Sequence, residues 1–131
     1  RAHKRLVLYD VNGKYLRHID GVTHSPCAFA FHNERIYIPE LFGDVKVLDK
    51  NFACIAQYGT NYAVRPAAGW PDQEGWGRPV TAGWPDKCGP DVLKPGFFNS
   101  PHGITVAPNG DIYVVEWIEG GRITRLAVSE Q

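Results

Sequence analysis

Residues 97–126 read FFNSPHGITVAPNGDIYVVEWIEGGRITRL, and this stretch decides the fold. Two short apolar runs, Ile104-Thr105-Val106 and Ile112-Tyr113-Val114-Val115, flank Pro108-Asn109-Gly110-Asp111. Asn-Gly supplies the positive φ angles of a tight reversal between antiparallel strands. A second reversal is expected at Glu119-Gly120-Gly121. Beyond it, Arg122-Ile123-Thr124-Arg125-Leu126 alternates polar with apolar, the pattern of a strand with one buried face. Three strands joined by tight turns form a meander.

The same pattern stands earlier in the chain. Ser25-Pro26-Cys27-Ala28-Phe29-Ala30-Phe31 aligns with Ser100-Pro101-His102-Gly103-Ile104-Thr105-Val106. After one gap, Arg35-Ile36-Tyr37-Ile38-Pro39-Glu40-Leu41 aligns with Asp111-Ile112-Tyr113-Val114-Val115-Glu116-Trp117, and Gly43 to Leu48 with Gly121 to Leu126. An internal repeat of this kind sets the architecture. Ser-Pro-His-Gly-Ile, the following apolar strand, Asn-Gly-Asp-Ile-Tyr-Val and Gly-Arg-Ile resemble the NHL repeat, one blade of a β-propeller. The resemblance covers residues 4 to 59 and 97 to 128. It implies an all-β fold, a partial β-propeller of four-stranded antiparallel meanders, from a six-bladed parent. NHL blades usually carry Asp after the second strand, where Glu40 and Glu116 stand here, so a differently built turn is expected.

Taken in order, residues 4–20 read as half a blade, with Asn12-Gly13 as its hairpin. Residues 25–59 hold a full blade, with strands expected at 27–31, 35–40, 44–49 and 52–57. Pro39 lacks an N–H and is expected at a strand end or a bulge. Residues 60–96 are an insertion of another kind, holding six of the ten prolines and three of the four tryptophans. Arg65-Pro66-Ala67-Ala68-Gly69-Trp70-Pro71-Asp72 is echoed by Arg78-Pro79-Val80-Thr81-Ala82-Gly83-Trp84-Pro85-Asp86. Long loops of this sort are often functional. Trp70, Trp76 and Trp84 are therefore candidate ligand-binding residues on a lid over one propeller face, the alternative being tryptophans packed on their own blade. Residues 97–128 make a third blade without its last strand.

The 131 residues carry no formal net charge, with 14 basic and 14 acidic side chains, and 44% are hydrophobic. This is an ordinary soluble composition. Balanced charge gives no reason to expect nucleic acid or an anionic membrane as partner. No run approaches the ~18 apolar residues of a membrane span. There is no methionine, and too few strands for the ~4 to 8 blades of a closed propeller. The chain is therefore expected to be a piece of a larger propeller, the remaining blades coming from its parent chain or from other copies. Three cysteines, Cys27, Cys54 and Cys88, leave the compartment open, secreted and periplasmic locations included.

His102 is the sharpest candidate for chemistry. In a propeller the first strand of each blade lines the central channel, and the residue before it lies at the channel mouth, where groups from several blades converge. Phe98-Asn99-Ser100-Pro101-His102-Gly103-Ile104 further resembles a segment of peptidyl-α-hydroxyglycine α-amidating lyases. That resemblance implies a zinc ligand at His102 and a reaction cleaving a carbinolamide C–N bond to a peptide amide and glyoxylate. The family's zinc site takes three histidines from different blades, with an arginine and a tyrosine. Cys27 occupies the matching place of the preceding blade, and cysteine ligates zinc as well. The alternative for His102 is a hydrogen-bonded structural histidine. His24, just before Ser25-Pro26, could approach the same face and is a candidate ligand-binding residue. Glu40 and Glu116 as a pair could bind calcium or bond the following turn, and the turn is the stronger reading. Two functions stand: a scaffold binding a peptide, protein or small-molecule ligand at the channel mouth, and a metal-dependent lyase. No Gly-rich phosphate loop, zinc-finger spacing or Gly-x-Ser-x-Gly elbow is present.

Overall fold

The computed structural model describes residues 3–41, 43–61, 94–117 and 121–128, and every regular element among them is a β-strand. β1 (Arg5–Tyr9) and β2 (Tyr15–Asp20) form a two-stranded ribbon. β3 (Ala30–His32), β4 (Arg35–Glu40), β5 (Asp44–Leu48) and β6 (Cys54–Tyr58) form a four-stranded antiparallel meander in chain order. β7 (Pro101–Val106), β8 (Ile112–Glu116) and β9 (Arg122–Leu126) form a three-stranded meander. The fold is all-β, a partial β-propeller. Trp70, Trp76, Trp84 and Cys88 lie outside the described residues.

The middle sheet is covered on both faces, which is what a blade between two neighbours requires. Side chains alternate along β4. Ile36 and Ile38 point to the ribbon and pack with Leu6, Leu8 and Ile19. Tyr37 points the other way and packs with Val45, Val47, Phe98, Ile112 and Val114. Each fully buried aliphatic residue contributes about 1.5–3 kcal/mol. Lys46 lies between Val45 and Val47 and so faces the ribbon, where its Nζ donates to Val22 O at 2.9 Å.

The hairpin turns depart from the expected geometry. Among the described residues, Asn12 and Asn109 are not in the left-handed region; only Gly13 and Gly110 are, at φ 82° and 91°. Asp10 N–H donates to Lys14 O and Gly13 N–H to Asp10 O, with the same two bonds at Ala107-Asp111 and Gly110-Ala107. A turn followed by one left-handed residue closes the longer loop, so the glycine alone is needed. Asp49 to Ala53 repeats the pattern with Phe52 in the glycine position, at φ 67°. Asn33-Glu34 is the turn with two left-handed residues, at φ 47° and 58°.

Pro39 is neither a strand end nor a bulge: it lies within β4 and pairs with Val45 in unbroken register. Its carbonyl accepts from Cys27 N–H at 3.0 Å, so its donor-less nitrogen turns to the same side, toward the chain before β3. The β4–β5 ladder therefore loses no bond. The disturbance is passed to the first strand, which begins at Ala30 rather than the expected residue 27 and leaves Cys27 outside it.

Candidate functional site

The ends of the second and third sheets where β4 and β8 finish share one framework. Glu116 is buried, and its Oε1 accepts Asn99 N–H at 2.6 Å and Ser100 N–H at 3.3 Å. Trp117 N–H donates to Ser100 O at 2.8 Å. In the second sheet, buried Glu40 accepts Ser25 N–H at 2.5 Å and His24 N–H at 3.2 Å, and Leu41 N–H donates to Ser25 O at 3.0 Å. The chain before Ser-Pro is buried but not yet in a ladder, and an unmet N–H there costs about 1–3 kcal/mol. A carboxylate from the end of the second strand meets two such groups at once. The recurring glutamates thus bond the backbone at the start of their own blade.

The two copies balance that buried charge differently. In the third sheet the Arg122 guanidinium pairs with Glu116 and also donates to Phe97 O at 2.6 Å. The matching residue of the second sheet is Asp44, itself buried, so the arginine's place holds a second acid. His24 lies between them. Its Nδ1 is 3.2 Å from Glu40 Oε2 and 3.2 Å from Ser25 Oγ, and its Nε2 is 3.4 Å from Asp44 Oδ2. Gln57 donates to Asp44 at 2.5 Å. Burial pushes the Glu40 carboxyl above its ordinary range, and His24 is the chief opposing influence.

His102 and Cys27 occupy equivalent irregularities. Pro101 pairs with Glu116 and Gly103 with Val115, a one-residue shift that leaves His102 as the extra residue. Pro26 pairs with Glu40 and Ala30 with Tyr37, the same shift spread over Cys27 to Phe29. A bulge re-aims a side chain that alternation would otherwise fix. His102 is exposed, and its ring centroid lies 5.5 Å from that of half-exposed Trp117. Cys27 is half-buried against Leu41, with Sγ 3.5 Å from Ser25 O. Gly103 allows a close approach here, since a Cβ would come within 2.6 Å of Val115 Cγ2. Among the described residues no group of three or more His, Cys, Asp or Glu side chains is placed to hold a metal ion.

Of the candidates read from the sequence, His24 is tied into the carboxylate pair with a side chain 23% exposed, while His102 points outward. Trp117 stands beside His102. Asp44, Gln57 and Arg122 were not singled out. The alignment of Gly43-Asp44 with Gly121-Arg122 carried the signal for two of them, since a charge reversal at matched places asks for a different counter-ion. The exposed imidazole and indole can donate a hydrogen bond and offer an aromatic face.

The segment 62–93 is flanked by this same end of the sheets. Asn61 N–H donates to Gly43 O and Phe98 N–H to Gly59 O, both at 2.9 Å. Among the described residues no helix is long and apolar enough to cross a membrane. No curated protein matches the chain. The Ser-Pro start, the bulge, the Asn-Gly turn and the Glu–Arg pair all fall within residues 98–124, and these match the family model of the NHL repeat.

Proposed function

We propose that the chain forms part of an NHL-type propeller scaffold that binds a peptide or protein on the face bearing the Ser-Pro starts. The observation that carries this reading is a constant framework with variable tips. Glutamate, Ser-Pro and bulge recur with the same bonds, while the matched places differ: His24, Cys27 and buried Leu41 in one blade become buried Asn99 and exposed His102 and Trp117 in the next. Propellers of NHL repeats commonly serve as scaffolds for proteins or peptides. The proposal includes Trp70, Trp76 and Trp84, a reading supported by the flanks of their segment, which bond Gly43 and Gly59 at that end. Further blades, six in the closed ring, complete the face.

The test is selection of displayed peptides on the intact chain, followed by titration against variants. An exposed aromatic anchor contributes about 1–2 kcal/mol, so Trp117→Ala should weaken the selected peptides about tenfold. Val11→Ala, at the fully exposed tip of the ribbon, should change nothing. Peptides indifferent to Trp117 and His102 would place recognition elsewhere. A second reading, the metal-dependent lyase with His102 as one zinc ligand and Cys27 at the matching place of the preceding blade, is favoured by the exposed imidazole at the bulge. Zinc retained on dialysis and lost in His102→Ala would support it over the scaffold.

A further inference from the structure

A second feature reaches from the hairpin tips at the other end of the sheets to Tyr58, next to Gly59. A cavity of about 660 Å³ opens between the second and third sheets, lined by Arg35, Tyr37, Tyr58, Ile112, Leu126 and Val128. Register explains the lining. Arg35 and Tyr37 are two apart on β4 and share a face, Tyr37 pairs with Val47, and Val45 pairs with Tyr58, so these side chains all look toward the third sheet. Ile112 pairs with Leu126 and returns the apolar wall. The hairpin tips that carry Arg35 and Gly110 are at the opposite end of their sheets from Glu40 and Glu116.

The charges around the cavity are unevenly settled. Asp111 is held by Arg125 at 2.7 Å and by Val128 N–H at 2.9 Å. Glu34 is held by Lys50 at 3.3 Å. Arg35 has no ion pair or side-chain hydrogen bond among the described residues, so its guanidinium is the cation left over at the rim. Pockets of about 300–1,000 Å³ with an apolar lining and a few polar groups are the usual seats of small ligands. A guanidinium presents parallel donors that match a carboxylate in a two-point contact. A single cation over an apolar floor suits a monoanion with a hydrocarbon body better than a doubly charged phosphate.

We infer that this inter-sheet cavity binds a small amphipathic carboxylate, with its hydrocarbon part against Tyr37, Ile112 and Leu126 and its carboxylate on Arg35. Tyr37 and Tyr58, on the same wall, each carry a phenol that can donate a hydrogen bond. The inference is independent of the peptide-binding reading, because it uses neither the bulges nor the segment 62–93.

Calorimetric titration of the intact chain with 3-phenylpropanoate and with its uncharged amide tests it. The acid should bind and the amide should bind at least about tenfold more weakly, the usual worth of a charge-assisted contact. Arg35→Gln should bring the acid down to the level of the amide, and Arg35→Lys should retain part of the difference. Leu126→Trp, which fills the floor, should abolish binding of both. Equal affinity for acid and amide on the unchanged protein, absence of binding, or acid binding unaltered in Arg35→Gln would each overturn the inference. The acid–amide comparison needs no variant, so misfolding cannot obscure it.

Discussion

Two of the four described non-glycine residues in the left-handed region, Glu34 and Phe52, are held there for different reasons, and substitution separates them. Glu34, at φ 58°, is exposed at the β3–β4 turn and pairs with Lys50 at 3.3 Å. The left-handed conformation costs an ordinary residue about 1 kcal/mol or more, and an exposed pair returns less than that. Glu34→Gly should therefore raise the urea midpoint, by about 0.5–1 kcal/mol in stability. Phe52, at φ 67°, carries a similar strain, but its ring packs with Leu6, Ile38 and Leu48 and lies 5.6 Å from the Arg17 guanidinium. Loss of that packing outweighs the relief, and Phe52→Gly should destabilise by about 1–2 kcal/mol. Equal signs for the two substitutions would show that backbone strain alone sets both.

At the scale of elements, the bulged first strand is the part that the sequence pattern under-reads. Gly103 permits the close approach of β7 to β8, and a methyl group there would collide with the half-exposed Val115 side chain. Gly103→Ala should cost about 1–3 kcal/mol by denaturant unfolding. The double variant Gly103→Ala, Val115→Ala should recover most of that loss, because only a side-chain tip is in the way. The strands themselves were legible: alternation in Arg122 to Leu126 and the Ile-Tyr pairs placed β4, β5, β8 and β9 to within a residue. The start of β3 was not, because Pro39 acts across the sheet on residues ten positions away. Half of the site was legible too. Repetition of Glu40 and Glu116 marked them as structural, but which donors they meet depends on a bulge that no local composition announces. The reversal from Arg122 to Asp44 could be seen in the alignment, yet its compensation by His24 appears only when the chain has folded.

At the scale of the whole molecule, two carboxyls should leave opposite marks on the pH dependence of stability. The N–H of Val128 holds the Asp111 carboxyl below its ordinary range, with Asn109 and Arg125 assisting against desolvation. Its contribution is present above the unfolded value of 3.8 and is lost as pH falls through the folded one. Glu40 is raised by burial, so the folded state holds its proton longer, and stability falls as pH rises from 4.5 through the folded value. Asp111→Asn should remove part of the acid-side loss below pH 3.8, and Glu40→Gln should flatten the decline above pH 4.5. Denaturation midpoints measured from pH 3 to 7 read both, and a Glu40→Gln profile parallel to that of the unchanged chain would reject the second. Another property of the whole follows from the bond between Phe98 N–H and Gly59 O. The chain departs from the second blade and rejoins the third at points one hydrogen bond apart. Doubling the length inserted there raises the closure cost by only about 0.6 kcal/mol. A junction closed so tightly tolerates insertions of many lengths, and is a natural port for acquiring new specificities.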